Sequence, residues 1–288
     1  MTAQIIDGKQ IAASYRAKVK DEVAAFAAEF GRAPGLATVL IGEDAGSQVY
    51  VANKHKACEE AGMVSVGHRL PADVPAAEVE ALIDALNADD TVDGILCQLP
   101  VPAPLDGDAL SQRVSADKDV DGLTTLSAGR LALGAPGLRP CTPRGVMVMF
   151  EELGLDLQGK RAVVVGRSNL FGKPMAQMLL QANATVTIAH SRTADLPGVC
   201  RSAEVLIVAV GQPEMVKGDW ITPGTTVIDV GMNRTDRLVG DVAFDEAKDV
   251  AGAITPVPGG VGPMTIAMLL ANTLDAARAA EARRSAAR

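Results

Sequence analysis

The sequence predicts an α/β protein with two domains. Short apolar runs of strand length alternate with amphipathic helical stretches along most of the 288 residues, which is typical of a mainly parallel sheet covered by helices. At roughly 150 residues for each domain, the length corresponds to two of them. Hydrophobic residues make up 48% and charged residues 22% of the chain, a composition that excludes a disordered protein and provides a full core.

The elements fall into two series. In the first, apolar runs at residues 37–41, 64–70 and 94–99 predict strands, and apolar residues at helical spacing predict helices over 48–61 and 76–87.

In the second series, residues 161–165, 184–189, 205–210 and 226–230 are continuous apolar runs, the pattern of strands buried on both faces.

The segment between the two series, residues 100–143, is rich in Pro, Gly and Asp and has weaker periodicity. We therefore place the domain junction near Pro140, with one domain over residues 1–140 and the other over 141–263. A long final helix is predicted at about 264–284. We expect this helix to pack back on the first domain.

Charge and cysteine usage exclude several functions. Lys and Arg number 27 against 35 for Asp and Glu, a net charge of −8, so nonspecific nucleic-acid binding is not expected. The sequence has neither a secretory signal nor the ~18 apolar residues of a membrane span. The four cysteines and three histidines lack the spacing of a metal site or a disulfide framework. These features predict a cytoplasmic protein with reduced thiols and no bound metal.

A glycine-containing turn follows the first strand of the second series. Gly166, Arg167 and Ser168 come directly after residues 161–165, and a helix follows from about residue 175. Backbone N–H groups in such a turn, with the helix N-terminus, attract a pyrophosphate. The turn departs from the G-x-G-x-x-G pattern, so an ordinary strand-to-helix turn is an equally good interpretation of it alone.

The next strand of this series favours NADP over NAD. An NAD site usually has an acidic residue here for the ribose 2′-hydroxyl, but this strand is followed by Ser191 and Arg192. A hydroxyl and a guanidinium suit a 2′-phosphate. Gly211 and Gly231 follow the third and fourth strands, where small residues allow a cofactor to approach.

Four further features are weak when taken singly. Tyr50 and Lys54 share one helical face, and Gln98 stands at the carboxyl end of a strand, where ligands commonly bind. An acidic turn lies at 119–122, and a rigid Pro- and Gly-rich loop lies at 256–263. A solvated lysine and an Asx-rich loop are the ordinary interpretations of the first and third of these features.

Together these segments resemble the bifunctional methylenetetrahydrofolate dehydrogenase/methenyltetrahydrofolate cyclohydrolase family of bacterial type. The resemblance rests on YVANKHKAC at 50–58, QLP at 98–100, DVDG at 119–122, PCTP at 140–143, VVGRS at 164–168 and PVPGGVGP at 256–263. Cys97 and Met232 depart mildly, because an aliphatic residue and Ile are common there. The family implies an N-terminal α/β catalytic domain, a Rossmann-like NADP-binding domain and an active site in the cleft between them.

The resemblance implies two reactions. NADP⁺ takes a hydride from 5,10-methylenetetrahydrofolate, and water then opens the methenyl cation to give 10-formyltetrahydrofolate. Lys54 would move protons in the hydrolysis; a free lysine, with a pKa near ~10.4, is a poor base at neutral pH, so burial or neighbours must favour its neutral amine. Gln98 would hold Lys54, Tyr50 would stack on the aminobenzoyl ring, and Asp121 would bind the pterin.

The family pattern also assigns the remaining binding residues. The phosphates would contact Gly166, Arg167 and Ser168, the 2′-phosphate Ser191 and Arg192, the nicotinamide side Met232, and the folate the backbone of Pro258, Gly259, Gly260 and Val261. The resemblance further implies a cytoplasmic homodimer that supplies one-carbon units for purine, histidine and methionine biosynthesis.

Two alternatives keep the cofactor turn. A shikimate- or amino-acid-type dehydrogenase would explain it, but not Tyr50, Lys54 and Gln98 together with the 256–263 loop. A non-catalytic NADP-binding regulator would have no need for Lys54 beside a cleft.

Overall fold

The computed structural model describes residues 2–286 of the chain. The strands are β1 (Gln4–Ile5), β2 (Gly35–Ile41), β3 (Val64–Leu70), β4 (Gly94–Cys97), β5 (Arg161–Val165), β6 (Thr185–Ala189), β7 (Val205–Val208), β8 (Thr226–Asp229), β9 (Asn233–Arg234), β10 (Leu238–Val239) and β11 (Ala253–Ile254). The helices are α1 (Gly8–Phe30), α2 (Ala45–Glu60), α3 (Ala76–Ala88), α4 (Gly107–Arg113), α5 (Thr125–Ala132), α6 (Cys141–Glu152), α7 (Gly172–Gln181), α8 (Leu196–Arg201), α9 (Phe244–Ala247) and α10 (Gly262–Ala286), with a 3₁₀ turn at Gly218–Trp220.

The chain forms two compact units. The first unit consists of Ser14–Cys141 and the chain from Ile266 onward; the second consists of Thr142–Thr265 and the chain up to Ala13. The sequence places the first 13 residues with the N-terminal domain, but their contacts group them with the second unit, because β1 adds a strand to its sheet. All three crossings between units fall inside helices, namely α1, α6 and α10.

The first unit contains a three-stranded parallel sheet in the order β3-β2-β4. The central strand β2 is buried along its whole length. One face of the sheet packs on α3, whose apolar residues recur at helical spacing. This core includes Ala37, Val39, Ile41, Val79, Ile83, Leu86 and Ile95. Strand β3 lies at the edge and is largely exposed, including Val64 and Val66.

The second unit contains a six-stranded parallel sheet in the order β1-β11-β8-β7-β5-β6. Strands β5, β7 and β8 are almost wholly buried, as their continuous apolar sequences predict. For β6 the predicted burial on both faces is wrong. Thr185, Thr187 and Ile188 are exposed because β6 is the edge strand of the sheet.

Several elements carry too weak a pattern to be predicted from the sequence. β1 and β11 are two residues long, and β9 pairs with β10 in a two-residue antiparallel ladder. The segment with weak periodicity contains two short helices, α4 and α5, and the start of α6. Within residues 2–286, no helix has the length and apolar character needed to cross a bilayer.

Candidate active site

The first unit brings Lys54 and Gln98 into contact. Helix α2 carries Lys54 and begins at the capping residue Asp44, whose carboxylate accepts a hydrogen bond from the Ser47 backbone N–H at 2.7 Å. Although Lys54 is only 8% exposed, its Nζ donates to Gln98 Oε1 at 3.0 Å. Gln98 directly follows β4, and its backbone N–H donates to the carbonyl of Val39 in β2. Lys54 and Gln98 are 44 positions apart in the sequence, and the parallel sheet brings them together.

The Gln98 side chain has a fixed orientation. Its Nε2 donates to the carbonyl of Leu99 at 2.6 Å, so its Oε1 is the atom turned to Lys54. A neutral amide accepts from the lysine without the charge that would hold it as an ammonium ion, as a carboxylate would. The geometry therefore holds the Lys54 amine against an uncharged acceptor.

Asp121 lies close enough to interact electrostatically with Lys54. Burial raises the pKa of the Asp121 carboxyl; Lys54 lowers it, the neighbouring Asp119 carboxylate raises it, and a hydrogen bond with Cys141 lowers it. The structure thus brings together three residues of the predicted site, each on a different element.

Asp119 and Asp121 have different roles in the acidic turn. The Asp119 carboxylate accepts from the backbone N–H groups of Leu123 at 3.1 Å and Thr124 at 2.8 Å, so it shapes the chain. Gly122 has a φ of +68°, and a Cβ there would overlap the backbone of Arg139 and Pro140. The turn is fixed by these hydrogen bonds and close contacts, and it is not a solvated Asx loop.

Tyr50 lies one helical turn before Lys54 and is 43% exposed, so its ring is open to a ligand. Cys97 is the last residue of β4 and directly precedes Gln98. Burial raises the pKa of the Cys97 thiol to about 12, and Asp121 and Asp119 act in the same direction. The thiol therefore stays protonated at neutral pH and is a poor nucleophile.

His55 is half-buried and links three elements, which its sequence context does not indicate. Its Nε2 hydrogen-bonds Thr38 Oγ1 at 2.9 Å and its Nδ1 hydrogen-bonds Ser65 Oγ at 2.5 Å. These bonds join α2 to β2 and β3 next to Lys54. Burial lowers the pKa of His55, opposed by Glu59, which favours the neutral ring.

The second unit holds the glycine-containing turn. Gly166 has a φ of +127°, and a Cβ there would overlap the carbonyl of Ala209. Ser168 Oγ accepts from the N–H groups of Phe171 at 3.2 Å and Gly172 at 3.4 Å and caps the start of α7. Arg167 and Ser168 are exposed. The turn fits a phosphate group, because its backbone is compact, Arg167 is exposed beside it and the Ser168 hydroxyl keeps a hydrogen to donate.

A second tight turn follows β6. Thr193 Oγ1 accepts from the His190 N–H at 2.9 Å, and the Thr193 N–H donates to the His190 carbonyl at 2.8 Å. Ser191 and Arg192 lie at the exposed tip. A hydroxyl and a guanidinium offered together at this strand end fit a phosphate monoester.

Two buried carboxylates, which the sequence analysis also missed, hold the loops after β7 and β8. Asp241 Oδ2 accepts from the N–H groups of Val210 at 2.6 Å and Gly211 at 2.9 Å. Its Oδ1 accepts from the Gln212 N–H at 2.9 Å and from Asn233 Nδ2 at 2.8 Å. One side chain therefore fixes both loops.

Asp229, the last residue of β8, accepts from the N–H groups of Gly231, Asp241 and Val242 at 2.9–3.0 Å. Burial raises the pKa of Asp229 to about 7. The three backbone hydrogen bonds lower this pKa, and the nearby Asp241 carboxylate raises it. Met232 lies in the loop held by these bonds and is 52% exposed. The sequence hints at this role of Asp229 only in that an acidic residue stands inside the apolar run 226–230.

The Pro- and Gly-rich loop also belongs to the second unit. Gly259 has a φ of +111°, and its carbonyl accepts from the Lys9 N–H at 3.1 Å. Pro258 is exposed and Gly259 half-buried, whereas Gly260 and Val261 are buried. Pro258 and Gly259 are thus the residues of this predicted set that offer surface. Residues 2–286 include no group of three His, Cys, Asp or Glu side chains placed to hold a metal ion.

Comparison with known proteins gives one consistent result. Residues 6–121 match the tetrahydrofolate dehydrogenase/cyclohydrolase catalytic domain, and residues 140–281 match the NAD(P)-binding domain of the same family. The bifunctional protein FolD of Rhodopseudomonas palustris (strain HaA2) is 60% identical over 286 residues, which is 97% of each chain.

Solved structures agree. A bifunctional methylenetetrahydrofolate dehydrogenase/cyclohydrolase from Campylobacter jejuni has a TM-score of 0.93 at 44% identity, over 96% of this chain and 99% of that one. The Trypanosoma brucei enzyme, complexed with NADP and an inhibitor, has a TM-score of 0.91 at 38% identity, over 97% and 98% of the two chains. Shikimate 5-dehydrogenase of Thermus thermophilus, at 16% identity and a TM-score of 0.52, shares the fold alone.

Proposed function

Because the chain belongs to the tetrahydrofolate dehydrogenase/cyclohydrolase family, we propose that it oxidises 5,10-methylenetetrahydrofolate with NADP⁺ and hydrolyses the methenyl product to 10-formyltetrahydrofolate. The observation that carries the proposal is the buried Lys54 Nζ held at 3.0 Å by the neutral Gln98. A shikimate-type dehydrogenase or a regulator that only binds NADP has no need for this pair.

In the hydrolysis, Lys54 transfers protons to and from the attacking water. The methenyl carbon is already an electrophile, so the reaction needs a proton carrier and not a further activating charge. Gln98 holds the amine in place through Oε1. Its own bond to the Leu99 carbonyl keeps that oxygen directed at Lys54 whether the amine is charged or neutral.

Asp121 and Tyr50 bind the folate. The Asp121 carboxylate accepts hydrogen bonds from the amino and ring N–H groups of the pterin, a paired donor edge that matches two carboxylate oxygens. The exposed ring of Tyr50 stacks on the aminobenzoyl group. Of the predicted set Pro258 to Val261, Pro258 and Gly259 offer backbone to the folate, since Gly260 and Val261 are buried.

The second unit binds the cofactor. Bound NADP⁺ supplies the hydride acceptor. Gly166, Arg167 and Ser168 bind its phosphates, Ser191 and Arg192 bind the 2′-phosphate, and Met232 lies on the nicotinamide side. The Gly166 turn supports this assignment, because a Cβ at Gly166 would overlap the Ala209 carbonyl and the next two residues, Arg167 and Ser168, are exposed.

The enzyme works in the cytoplasm as a homodimer. The exposed edge strand β3, with Val66 40% exposed, supports association, since an unpaired edge with apolar side chains is a ready pairing surface. The mass of the protein in solution, measured by light scattering, tests this. A mass of 29.7 kDa, that of one chain, at micromolar concentration contradicts it.

A turnover assay with 5,10-methylenetetrahydrofolate and NADP⁺ tests the function, with NADPH and the methenyl product followed separately. In the unaltered protein we expect NADPH to accumulate and the methenyl product to be converted onward to 10-formyltetrahydrofolate. Lys54→Met should slow hydrolysis by about 10²-fold or more and leave the Kd for NADP⁺ unchanged. Lys56→Met is the matched control, because Lys56 lies on the same helix but is solvated and paired with Glu60.

Other outcomes separate the alternatives. An unchanged hydrolysis rate in Lys54→Met contradicts the role of Lys54. Absence of NADPH with folate but turnover with a hydroxy or amino acid indicates the other dehydrogenase class. NADP⁺ binding without turnover of any of these substrates indicates a regulator.

A further inference from the structure

Helix α10 carries a buried amide that no part of the proposed chemistry uses. Asn272 is fully buried, and its Nδ2 donates to the carbonyl of Val120 at 2.6 Å and to the carbonyl of Arg139 at 2.8 Å. The same nitrogen lies 3.4 Å from Cys141 Sγ. Both N–H donors of this buried amide bind backbone carbonyls. The interaction fixes the position of the side chain, because a buried amide without such partners would destabilise the folded state.

The two carbonyls belong to segments that meet at the acidic turn. Val120 directly precedes Asp121, and Arg139 lies where Gly122 packs so closely that a Cβ would overlap it. Cys141 Sγ also donates to the Val120 carbonyl, at 3.2 Å. Asn272 therefore holds both chain segments that determine where the Asp121 backbone lies.

We propose that Asn272 is a positioning residue for folate binding, which acts by holding the turn that directs the Asp121 carboxylate. The proposal rests on the folate role of Asp121 given above. Asn272 acts from the far end of the chain, 151 positions after Asp121 in the sequence, and it contacts the backbone of the turn rather than its carboxylate.

The side chain chemistry supports an amide at this place. An ionised aspartate at this position has no hydrogen to donate, and its negative charge would repel the two carbonyl oxygens. A leucine of similar size would leave both carbonyls without this donor. The next residue gives the contrast. Thr273 is equally buried, but its Oγ1 donates to the Leu269 carbonyl of its own helix at 2.8 Å.

The experiment compares Asn272→Leu with Thr273→Val, two buried substitutions that keep similar volume. We measure the Kd for tetrahydrofolate by calorimetry, the folate KM and kcat, the Kd for NADP⁺ and the Tm. Asn272→Leu should raise the folate Kd and KM by about 10-fold, the effect of one lost polar contact, with the Kd for NADP⁺ unchanged. Thr273→Val should leave the folate Kd unchanged even where it lowers the Tm.

A double-mutant cycle with Asp121→Ala distinguishes positioning from a general loss of structure. If Asn272 acts through Asp121, adding Asn272→Leu to Asp121→Ala should change the folate Kd by less than about 2-fold. A full additional 10-fold loss would overturn the positioning role, as would equal effects of Asn272→Leu and Thr273→Val on the folate Kd.

Failure of the premise has a separate signature. An unchanged folate Kd in Asp121→Ala alone would refute the folate role of Asp121 and the positioning role with it. Should Asn272→Leu not fold, Asn272→Ser, which keeps one donor, serves in the same cycle; we expect a smaller rise in the folate Kd, and no rise contradicts the proposal.

Discussion

The two units place their site residues alike but hold them differently. In both, these residues follow the carboxyl ends of parallel strands or lie on the helices next to them. In the first unit, Lys54 interacts electrostatically with Asp121, and the turn that carries Asp121 is held by the Asp119 carboxylate and by the neutral Asn272. In the second unit, the ionisable groups Asp229 and Asp241 turn inward and bind backbone N–H groups.

The difference follows from the chemistry assigned to each unit. The proton transfer that we propose needs a side chain whose charge can change, and in the first unit Lys54 lies beside the neutral amide of Gln98. Hydride transfer belongs to the cofactor, so the second unit has only to hold loops in position. Carboxylates suit that task, because each can accept several backbone hydrogen bonds.

Removal of Asp241 should give the largest change in stability. Asp241→Ala leaves four donors without their acceptor, and each unsatisfied buried group costs about 1–3 kcal/mol. We expect the free energy of unfolding, measured with urea, to fall by at least about 3 kcal/mol.

Asp121→Asn is the counterpart in the first unit. Burial works against the Asp121 charge, so its loss should change the free energy of unfolding by less than about 1 kcal/mol while weakening folate binding. Equal losses of stability in the two variants would remove the distinction between the units.

The next effect is a pH dependence that belongs to the second unit. The pKa of Asp229 is about 7 in the folded protein because the carboxyl is buried, and about 3.9 is the ordinary value in an unfolded chain. The folded state therefore binds this proton more tightly, so the stabilisation is complete below pH 4 and is lost as the pH rises through 7.

Between pH 5 and 7 the free energy of unfolding should fall by about 2 kcal/mol from this group alone. Urea unfolding of Asp229→Asn at the same pH values isolates it, because the variant should lack this part of the slope. Parallel stability curves for the variant and the unaltered protein would show that Asp229 does not titrate in this range.

The smallest of the expected losses concerns the cofactor, since Asp121→Asn is expected to leave stability nearly unchanged. Arg192→Ala removes an exposed guanidinium from the turn after β6, and we expect the Kd for NADP⁺ to rise about 10-fold, or roughly 1.4 kcal/mol. The Kd for NAD⁺ should stay unchanged, since NAD⁺ lacks the 2′-phosphate. An equal rise in the Kd for NADP⁺ and for NAD⁺ would show that Arg192 contacts a part of the cofactor other than the 2′-phosphate.

The fold was predictable where a pattern is long enough to be periodic. Strands β3 and β5 have the predicted bounds, and α3 buries the residues at its helical spacing. The exposure of β6 was not predictable, because an edge strand with Val and Ile has the same apolar run as a central one. Strand β1 is too short for any period to be read.

The site was predictable by residue and not by orientation. Asp119 and Asp121 are the same residue type two positions apart, and only the folded turn shows that Asp119 binds backbone while Asp121 interacts electrostatically with Lys54. Asn272 has the sequence context of a polar position on an amphipathic helix. Its partners lie more than 130 residues away, so no local signal exists for its role.

The assignment of the first 13 residues to the second unit has a consequence for dissecting the protein. Each unit is assembled from two separate stretches of chain, so no single cut yields either one whole. A fragment beginning at Thr142 lacks the outer strand β1 of its sheet, and a fragment ending at Cys141 lacks the helix that carries Asn272. The two halves are therefore inherited and expressed as one molecule, and making one half alone requires a new linker that joins its own two stretches of chain.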